Sequence, residues 1–202
     1  MKYLACFLLI LLLPAAVFAQ WGGGVIGVYT SHYSGTCLAF DVPGPMTLYV
    51  IQRSVIDASG SRFRIELSPG FTGVLVSVTS PFSGVDGDPL TGVTVTYDGA
   101  CMINRVEVLE LHFMMLGTSA ECSWVRTAPH PLSVDGKLDT YNCAHTRLPA
   151  EWGGTHVYMD FPFPPFCPDE TFPDVLDYAC RPIQDPLPTA SATWGAVKAL
   201  YR

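Results

Sequence analysis

The sequence has few charged residues, and most of its charge is negative. Lys and Arg together number 11 against 18 Asp and Glu, so the formal net charge is −7 at pH 7, and charged residues make up 14% of the chain. A surface with this balance repels phosphate groups, which argues against nucleic acid as a partner. Hydrophobic residues make up 49%, which is ample for one core and argues against a disordered protein.

The motifs of the common enzyme classes are missing. The sequence contains no G-x-S-x-G, no H-E-x-x-H and no phosphate-binding glycine loop of the G-x-x-x-x-G-K-[ST] type. Glu110 and His112 would share one strand face, a geometry that permits an acid–base or metal pair, although two polar residues on a wet face are the ordinary explanation. The histidines are scattered along the chain: His32, His112, His130, His145 and His156. We therefore expect no catalytic residues.

Only one long apolar run occurs, and it lies at the N-terminus. Lys2 precedes the run from Leu4 to Leu13, and small residues follow up to Ala19. This order is typical of a secretory signal peptide, and the run is too short to span a bilayer comfortably. No second apolar segment follows it. We therefore expect cleavage near Ala19. The mature chain should have no transmembrane segment and should be secreted, either to the extracellular space or to the periplasm or cell envelope.

Closely spaced cysteine pairs are also absent. Cys6 lies in the signal peptide, and the other cysteines are Cys37, Cys101, Cys122, Cys143, Cys167 and Cys180. No two of them form a C-x-x-C pair, which argues against zinc ligation. An even number in an exported chain indicates disulfides, because that compartment is oxidising, but many pairings satisfy the count. Proximity along the chain favours Cys167 with Cys180, Cys122 with Cys143 and Cys37 with Cys101.

What the sequence does contain is a series of short β-branched and aromatic runs separated by glycine and proline. Candidate strands cover 25–29, 46–51, 62–67, 74–79, 93–97, 105–115 and 155–159, with weaker ones around Trp124 and Tyr141. Phe63 and Ile65 alternate with charged residues, which predicts one buried and one wet face. With 17 prolines and 18 glycines, long helices are not expected. The pattern predicts an all-β fold, an antiparallel two-sheet β-sandwich of immunoglobulin-like or jelly-roll type.

The strand predicted at 105–115 changes phase in its middle. The apolar residues Val106 and Val108 occupy even-numbered positions, whereas the apolar residues Leu109 and Leu111 occupy odd-numbered positions. A β-bulge near Val108 would reconcile the two halves. Clusters of glycine, proline and aspartate predict turns at 43–45, 59–60, 68–70, 86–89 and 98–99.

The composition changes after residue 160. We predict a signal peptide at 1–19, a β-sandwich domain at 20–160, a proline-rich extension with a local disulfide at 161–190, and a short amphipathic segment at 191–202. Thr193 is a candidate cap for a short terminal helix in that last segment. The helix would gather the residues of a candidate docking tail on one face: Trp194, Val197, Leu200 and Tyr201.

The order of these features resembles the β-sandwich of cohesins and carbohydrate-binding modules. Four stretches carry the likeness, which extends over about Val25 to Cys143: Gly27 to Tyr29, Pro43 to Gln52, Ser61 to Ile65 and Val106 to Met115. Those families are secreted bacterial domains, so the resemblance implies an extracellular protein or polysaccharide partner, cell-surface components among them. The tail from Thr193 to Arg202 resembles short C-terminal tails of secreted bacterial proteins, which implies a sorting or attachment signal; a helix that caps the domain is the alternative.

Two groups of residues are candidates for ligand binding. Flat rings on an exposed face stack on sugars or anchor a protein partner, and the candidates are Trp124, Tyr141, Trp152 and Tyr158, with core packing as the alternative. Asp86 and Asp88 flank a glycine in an arrangement that suits calcium. Two aspartates supply too few of the about six to eight oxygens that calcium takes, so a plain turn is preferred and no cofactor is expected.

These observations together predict a secreted or cell-envelope β-sandwich without catalytic activity, with a binding or structural role and a carbohydrate or protein ligand. One alternative is a secreted hydrolase that uses Glu107 or Glu110 with an aspartate from a loop. Another is a subunit of a surface assembly that docks through its C-terminal tail or an open sheet edge.

Overall fold

A computed structural model describes residues 23–32, 38–40, 42–120 and 123–158. These ranges form eleven strands: β1 (Val25–Tyr29), β2 (Leu38–Phe40), β3 (Gly44–Leu67), β4 (Gly73–Thr79), β5 (Gly84–Asp88), β6 (Gly92–Thr96), β7 (Met102–Met115), β8 (Ser123–Ala128), β9 (Leu138–Asn142), β10 (Arg147–Trp152) and β11 (Gly154–Tyr158). No helix that could span a bilayer occurs among them. The predicted signal peptide, extension and docking tail, with Cys37, Cys122, Cys167 and Cys180, lie outside the described residues.

Strand β3 takes part in both layers of the fold. Its N-terminal half pairs with β1 and β7, and β7 pairs with β4. Its C-terminal half pairs with β6, β9 and β8; β6 pairs with β5, and β8 with β11. Between the halves, Ser54 and Asp57 have positive φ and the register against β7 shifts, so the strand bends there. The predicted antiparallel β-sandwich is confirmed, with two parallel pairings, β1 with β10 and β2 with β11.

The predicted turn at Ser59-Gly60 is wrong, because both residues lie inside β3. Gly60 is opposite Thr96 of β6 on one side and Tyr141 of β9 on the other. A Cβ at Gly60 would lie 2.8 Å from the carbonyl oxygen of Val95. The glycine therefore permits a close approach between strands rather than a reversal of the chain.

The core lies between the two halves of β3. Leu48 and Val50 from the first half and Phe63 and Ile65 from the second belong to one buried cluster. The predicted alternation in 62–67 is therefore confirmed. Polar groups are buried here as well: Gln52 Nε2 donates to Thr140 Oγ1 at 2.6 Å, and the Tyr97 hydroxyl contacts Gln52 Oε1 and Ser61 Oγ. Burial raises the pKa of Tyr97, so the hydroxyl stays protonated and acts as a donor.

The predicted β-bulge at Val108 is confirmed. Val50 is opposite Leu109 and Ile51 is opposite Glu107, so Val108 has no partner in β3. Val108 and Leu109 are consequently both buried although they are adjacent. The extra residue also places Glu107 and Glu110 on the same outer face of the sheet, which positions one of the clusters described below.

Two other predicted turns are confirmed. The Phe71 N–H donates to the Ser68 carbonyl at 3.0 Å, and the Ala100 N–H donates to the Tyr97 carbonyl at 2.8 Å. The turn predicted at 86–89 is displaced, because Asp86 and Asp88 belong to β5, which pairs with β6. The chain reverses just beyond them, where Asp88 Oδ1 accepts the Leu90 N–H at 2.8 Å.

Cys101 and Cys143 form a disulfide with a Cα–Cα distance of 5.8 Å. Pairing by proximity, which assigned Cys143 to Cys122 and Cys101 to Cys37, is therefore wrong for these two residues. Ala58 of β3 is opposite Met102 of β7 on one side and Asn142 of β9 on the other. Each cysteine is adjacent in sequence to one of those partners, so sheet pairing rather than chain distance brings the sulfurs together.

Candidate functional site

Two of the four predicted aromatic residues converge on one guanidinium group. Arg126 Cζ lies 4.1 Å from the ring centroid of Trp124 and 5.0 Å from that of Trp152. Both indoles are half-buried, and Trp152 also packs against the core. Tyr141 is not part of this group. Its ring lies beside a different arginine, with the centroid 5.9 Å from Arg62 Cζ. The side chain of Tyr158 lies outside the described residues.

Strand alternation and a glycine position this group. In β8, Ser123, Val125 and Thr127 are buried, which turns Trp124 and Arg126 to the outer face. Gly154 of β11 is opposite Arg126, and a Cβ there would lie 2.7 Å from the Arg126 Cβ. The absence of a side chain at this glycine leaves room for the arginine.

Glu66 orients Arg126. The two residues are cross-strand partners, and Arg126 Nε donates to Glu66 Oε2 at 2.8 Å while Nη2 lies 2.6 Å from the same oxygen. Arg64 Nη2 donates to the other oxygen at 3.3 Å. We call Trp124, Trp152, Arg126, Glu66 and Arg64 the tryptophan–arginine surface. Its guanidinium groups are held in place before any ligand arrives.

An ion network around one buried carboxylate lies further along the same face. Asp139 is fully buried; Oδ2 accepts from Arg62 Nε at 2.9 Å and from Ser133 Oγ at 2.9 Å, and Oδ1 accepts from Arg147. Arg147 also donates to Asp135, which lowers the pKa of that carboxyl. Such a network supports the strands that carry the surface, because a buried carboxylate needs its partners.

A cluster of histidine and glutamate occupies the outer face of the other layer. His32 Nδ1 contacts Glu107 Oε2, and the ligand atoms of His32, Glu107 and Glu110 all lie within 4.8 Å of one another. His112 Nε2 lies 3.7 Å from Glu110 Oε2, so the prediction that these two residues share a face is confirmed. We call these four residues the histidine–glutamate cluster. No local pattern marks His32 as a member of this cluster, because it is separated from Glu107 by 75 positions.

Neighbouring side chains support the histidine–glutamate cluster. Thr79 Oγ1 donates to Glu110 Oε2 at 3.4 Å, and Thr47 Oγ1 lies 3.2 Å from His112 Nδ1. The Tyr49 ring centroid lies 3.7 Å from that of His32. The pKa of Tyr49 is raised above its ordinary value of 10.0, first by burial and then by the negative charges of Glu110 and Glu107.

Asp86 and Asp88, the predicted metal candidates, are exposed residues of β5. Asp88 Oδ1 already accepts backbone N–H groups of the turn. Among the described residues, two groups of His, Cys, Asp or Glu have spacings compatible with a metal ion, and neither contains Asp86 or Asp88. One is formed by Asp57 with the bridged Cys101 and Cys143, and the other belongs to the histidine–glutamate cluster. The expectation of no cofactor and the calcium alternative at Asp86 and Asp88 both stay predictions.

No protein-family model and no curated protein matches this sequence. Solved structures that match include a cohesin module of a family 33 glycoside hydrolase from Clostridium perfringens, with a TM-score of 0.47, 8% identity, and coverage of 68% of this chain and 98% of that one. A type II cohesin dyad from an adaptor scaffoldin of Acetivibrio cellulolyticus gives a TM-score of 0.47 and 14% identity over 68% of this chain and 49% of that one.

A non-cellulosomal cohesin from the archaeon Archaeoglobus fulgidus also matches, with a TM-score of 0.43 and 6% identity over 64% of this chain and 90% of that one. All three are cohesins, the type of β-sandwich that the order of strands in the sequence resembles. No ligand and no site follows from them for this chain.

Proposed function

We propose that this chain is a non-catalytic binding domain that docks a protein partner through the tryptophan–arginine surface. The observation that carries the proposal is the convergence of Trp124 and Trp152 on the guanidinium group of Arg126. Tryptophan and arginine are the side chains most enriched among residues that dominate binding energy at protein interfaces.

The geometry favours a protein over a polysaccharide. Stacking on sugar rings needs a free aromatic face, whereas Arg126 lies against both indoles, at 4.1 and 5.0 Å from their centroids. Glu66 fixes the arginine through hydrogen bonds, so docking does not have to pay for ordering its side chain. A rigid group of two rings and a cation suits an irregular protein surface.

Charge indicates the chemistry of the partner. The chain carries a net charge of −7, but Arg62, Arg64 and Arg126 all lie on this outer face. Arg62 is paired with the buried Asp139, and the other two share Glu66. Three arginines against Asp139 and Glu66 sum to 3 − 2 = +1 on this face, in a chain of net charge −7. A segment rich in carboxylates is therefore repelled less by this face than by the acidic remainder of the surface, so the partner contacts the domain through an acidic segment.

The test requires the partner in purified form. The immobilised domain is used to isolate a protein from the extracellular fraction of the source cells, and the Kd of the purified pair is then measured by titration calorimetry. Trp124→Ala is expected to raise the Kd by roughly 30-fold, which corresponds to about 2 kcal/mol at a dominant contact, and Trp152→Ala is expected to act in the same direction.

The matched control is Val76→Ala. Val76 is an exposed apolar residue of β4, 65% accessible, at the edge of the other layer. The control should leave the Kd unchanged. The proposal fails if both tryptophan variants bind with wild-type affinity, or if the control weakens binding as much as they do. It also fails if the domain is retained on polysaccharides and that retention depends on Trp124.

A further inference from the structure

The histidine–glutamate cluster plays no part in the proposed docking surface, and its composition is that of a metal site. His32, Glu107 and Glu110 offer one nitrogen and two carboxylate oxygens, all within 4.8 Å of one another. Neighbouring ligands of a tetrahedral zinc ion with bonds of about 2.1 Å lie about 3.4 Å apart. The three separations, at most 4.8 Å, exceed that spacing by no more than about 4.8 − 3.4 = 1.4 Å.

The backbone holds the two carboxylates together. Glu107 and Glu110 lie on either side of the bulge at Val108, which turns both to the same face of β7. Without the extra residue, positions three apart on a strand would point to opposite faces. Two like charges this close repel each other, and a cation between them would replace repulsion by attraction.

Further residues orient Glu110 in the way that outer-shell groups do at metal sites. Thr79 Oγ1 donates to Glu110 Oε2 at 3.4 Å, and His112 Nε2 lies 3.7 Å from the same oxygen. His112 is itself in contact with Thr47 from the neighbouring strand. Such contacts fix the direction of a ligand and raise metal affinity.

The donor set selects the kind of metal. Calcium takes about six to eight oxygen ligands and magnesium an octahedron of oxygens, whereas an imidazole with two carboxylates suits zinc and related transition metals. We propose that His32, Glu107 and Glu110 bind one divalent transition-metal ion, with zinc as the representative. Three protein ligands leave a fourth tetrahedral position for water or for a group from another molecule.

The experiment titrates the full chain, freed of metal by a chelator, with Zn²⁺ in a calorimeter. Wild type is expected to bind, and Glu107→Gln and Glu110→Gln are each expected to raise the Kd by at least about 100-fold, since even outer-shell changes cost about 10- to 100-fold. Thr79→Val, which removes an outer-shell contact, should raise it by about 10-fold. The control, Glu151→Gln, alters an exposed carboxylate on β10 that faces Lys137 and should bind Zn²⁺ like wild type.

Thermal unfolding gives a second readout that also reports on folding. Zn²⁺ should raise the Tm of wild type and of the Glu151 variant but leave that of Glu107→Gln unchanged, while the metal-free proteins melt at similar temperatures. The proposal is overturned if wild type binds no Zn²⁺, if both glutamine variants bind it with wild-type affinity, or if Ca²⁺ binds more tightly than Zn²⁺ in a manner that needs Glu107. Trp124→Ala should leave Zn²⁺ binding unchanged, which separates this site from the docking surface.

Discussion

Removal of the Cys101–Cys143 disulfide should destabilise the domain by an amount that follows from its place in the fold. The cysteines are 42 positions apart, and the bond ties the start of β7 to the end of β9 across β3. In the chain-entropy description, closing a loop of this length lowers the conformational entropy of the unfolded state by about 13 cal/mol/K. At 25 °C this stabilises the folded state by about 4 kcal/mol. The paired strands on both sides of Ala58 already hold the two cysteines near each other in the folded state.

The assay is urea unfolding of the protein with Cys101→Ala and Cys143→Ala combined. With an m-value of about 2 kcal/mol/M, a loss of about 4 kcal/mol in the free energy of unfolding lowers the urea midpoint by about 2 M relative to the oxidised wild type. The single variant Cys101→Ala should lose a similar amount, because either change abolishes the bond. A loss below about 1 kcal/mol would refute the reasoning, as would a peptide map of the unreduced protein that joins Cys143 to Cys122.

Three further predictions concern buried or partly buried groups. Asp139→Asn should cost about 1.5–3 kcal/mol in urea unfolding, because the partly exposed Arg62 and Arg147 lose the buried carboxylate to which both donate. The exposed Asp135→Asn should cost less than about 1 kcal/mol, and equal losses would contradict this. Tyr97→Phe should cost about 1–3 kcal/mol by the same measurement, since it strips a buried network of its hydroxyl, and an unchanged midpoint would count against that network. The pKa of His130 is lowered from 6.5 by burial and then by Arg62, so the unfolded chain binds more protons and stability should fall as the pH drops below about 6.5. His130→Asn should make the free energy of unfolding less dependent on pH between pH 7 and 5, whereas the exposed control His145→Asn should leave that dependence unchanged. An unaltered pH dependence in the His130 variant would exclude His130 as its cause.

Several features of the fold could be predicted from local patterns. The alternation around Phe63 and Ile65 marked a half-buried strand, because side chains in a strand point to opposite faces in turn. The phase change at Val108 revealed the bulge for the same reason. Asp98 and Gly99 marked a turn because both tolerate the positive φ that they adopt.

Other features depend on partners that are remote in sequence. Gly60 suggested a turn, since glycine is common in turns, but it is required here by the strands on either side of it. Cys143 has a nearer cysteine along the chain than the one that it bonds. Trp124 and Trp152 were both candidate ligand residues, but nothing in their local sequence showed that they share Arg126.

The sequence by itself determined the β-class of the chain, the outer and inner faces of its main strands and the phase change that turns Glu107 and Glu110 to one side. These properties follow from side-chain alternation and turn chemistry, which act over a few residues. Only the tertiary structure decided which strands became neighbours, and with them the disulfide, the tryptophan–arginine surface and the contact of His32 with Glu107. Strand pairing joins segments that are far apart in the chain, so no short stretch of sequence contains that information.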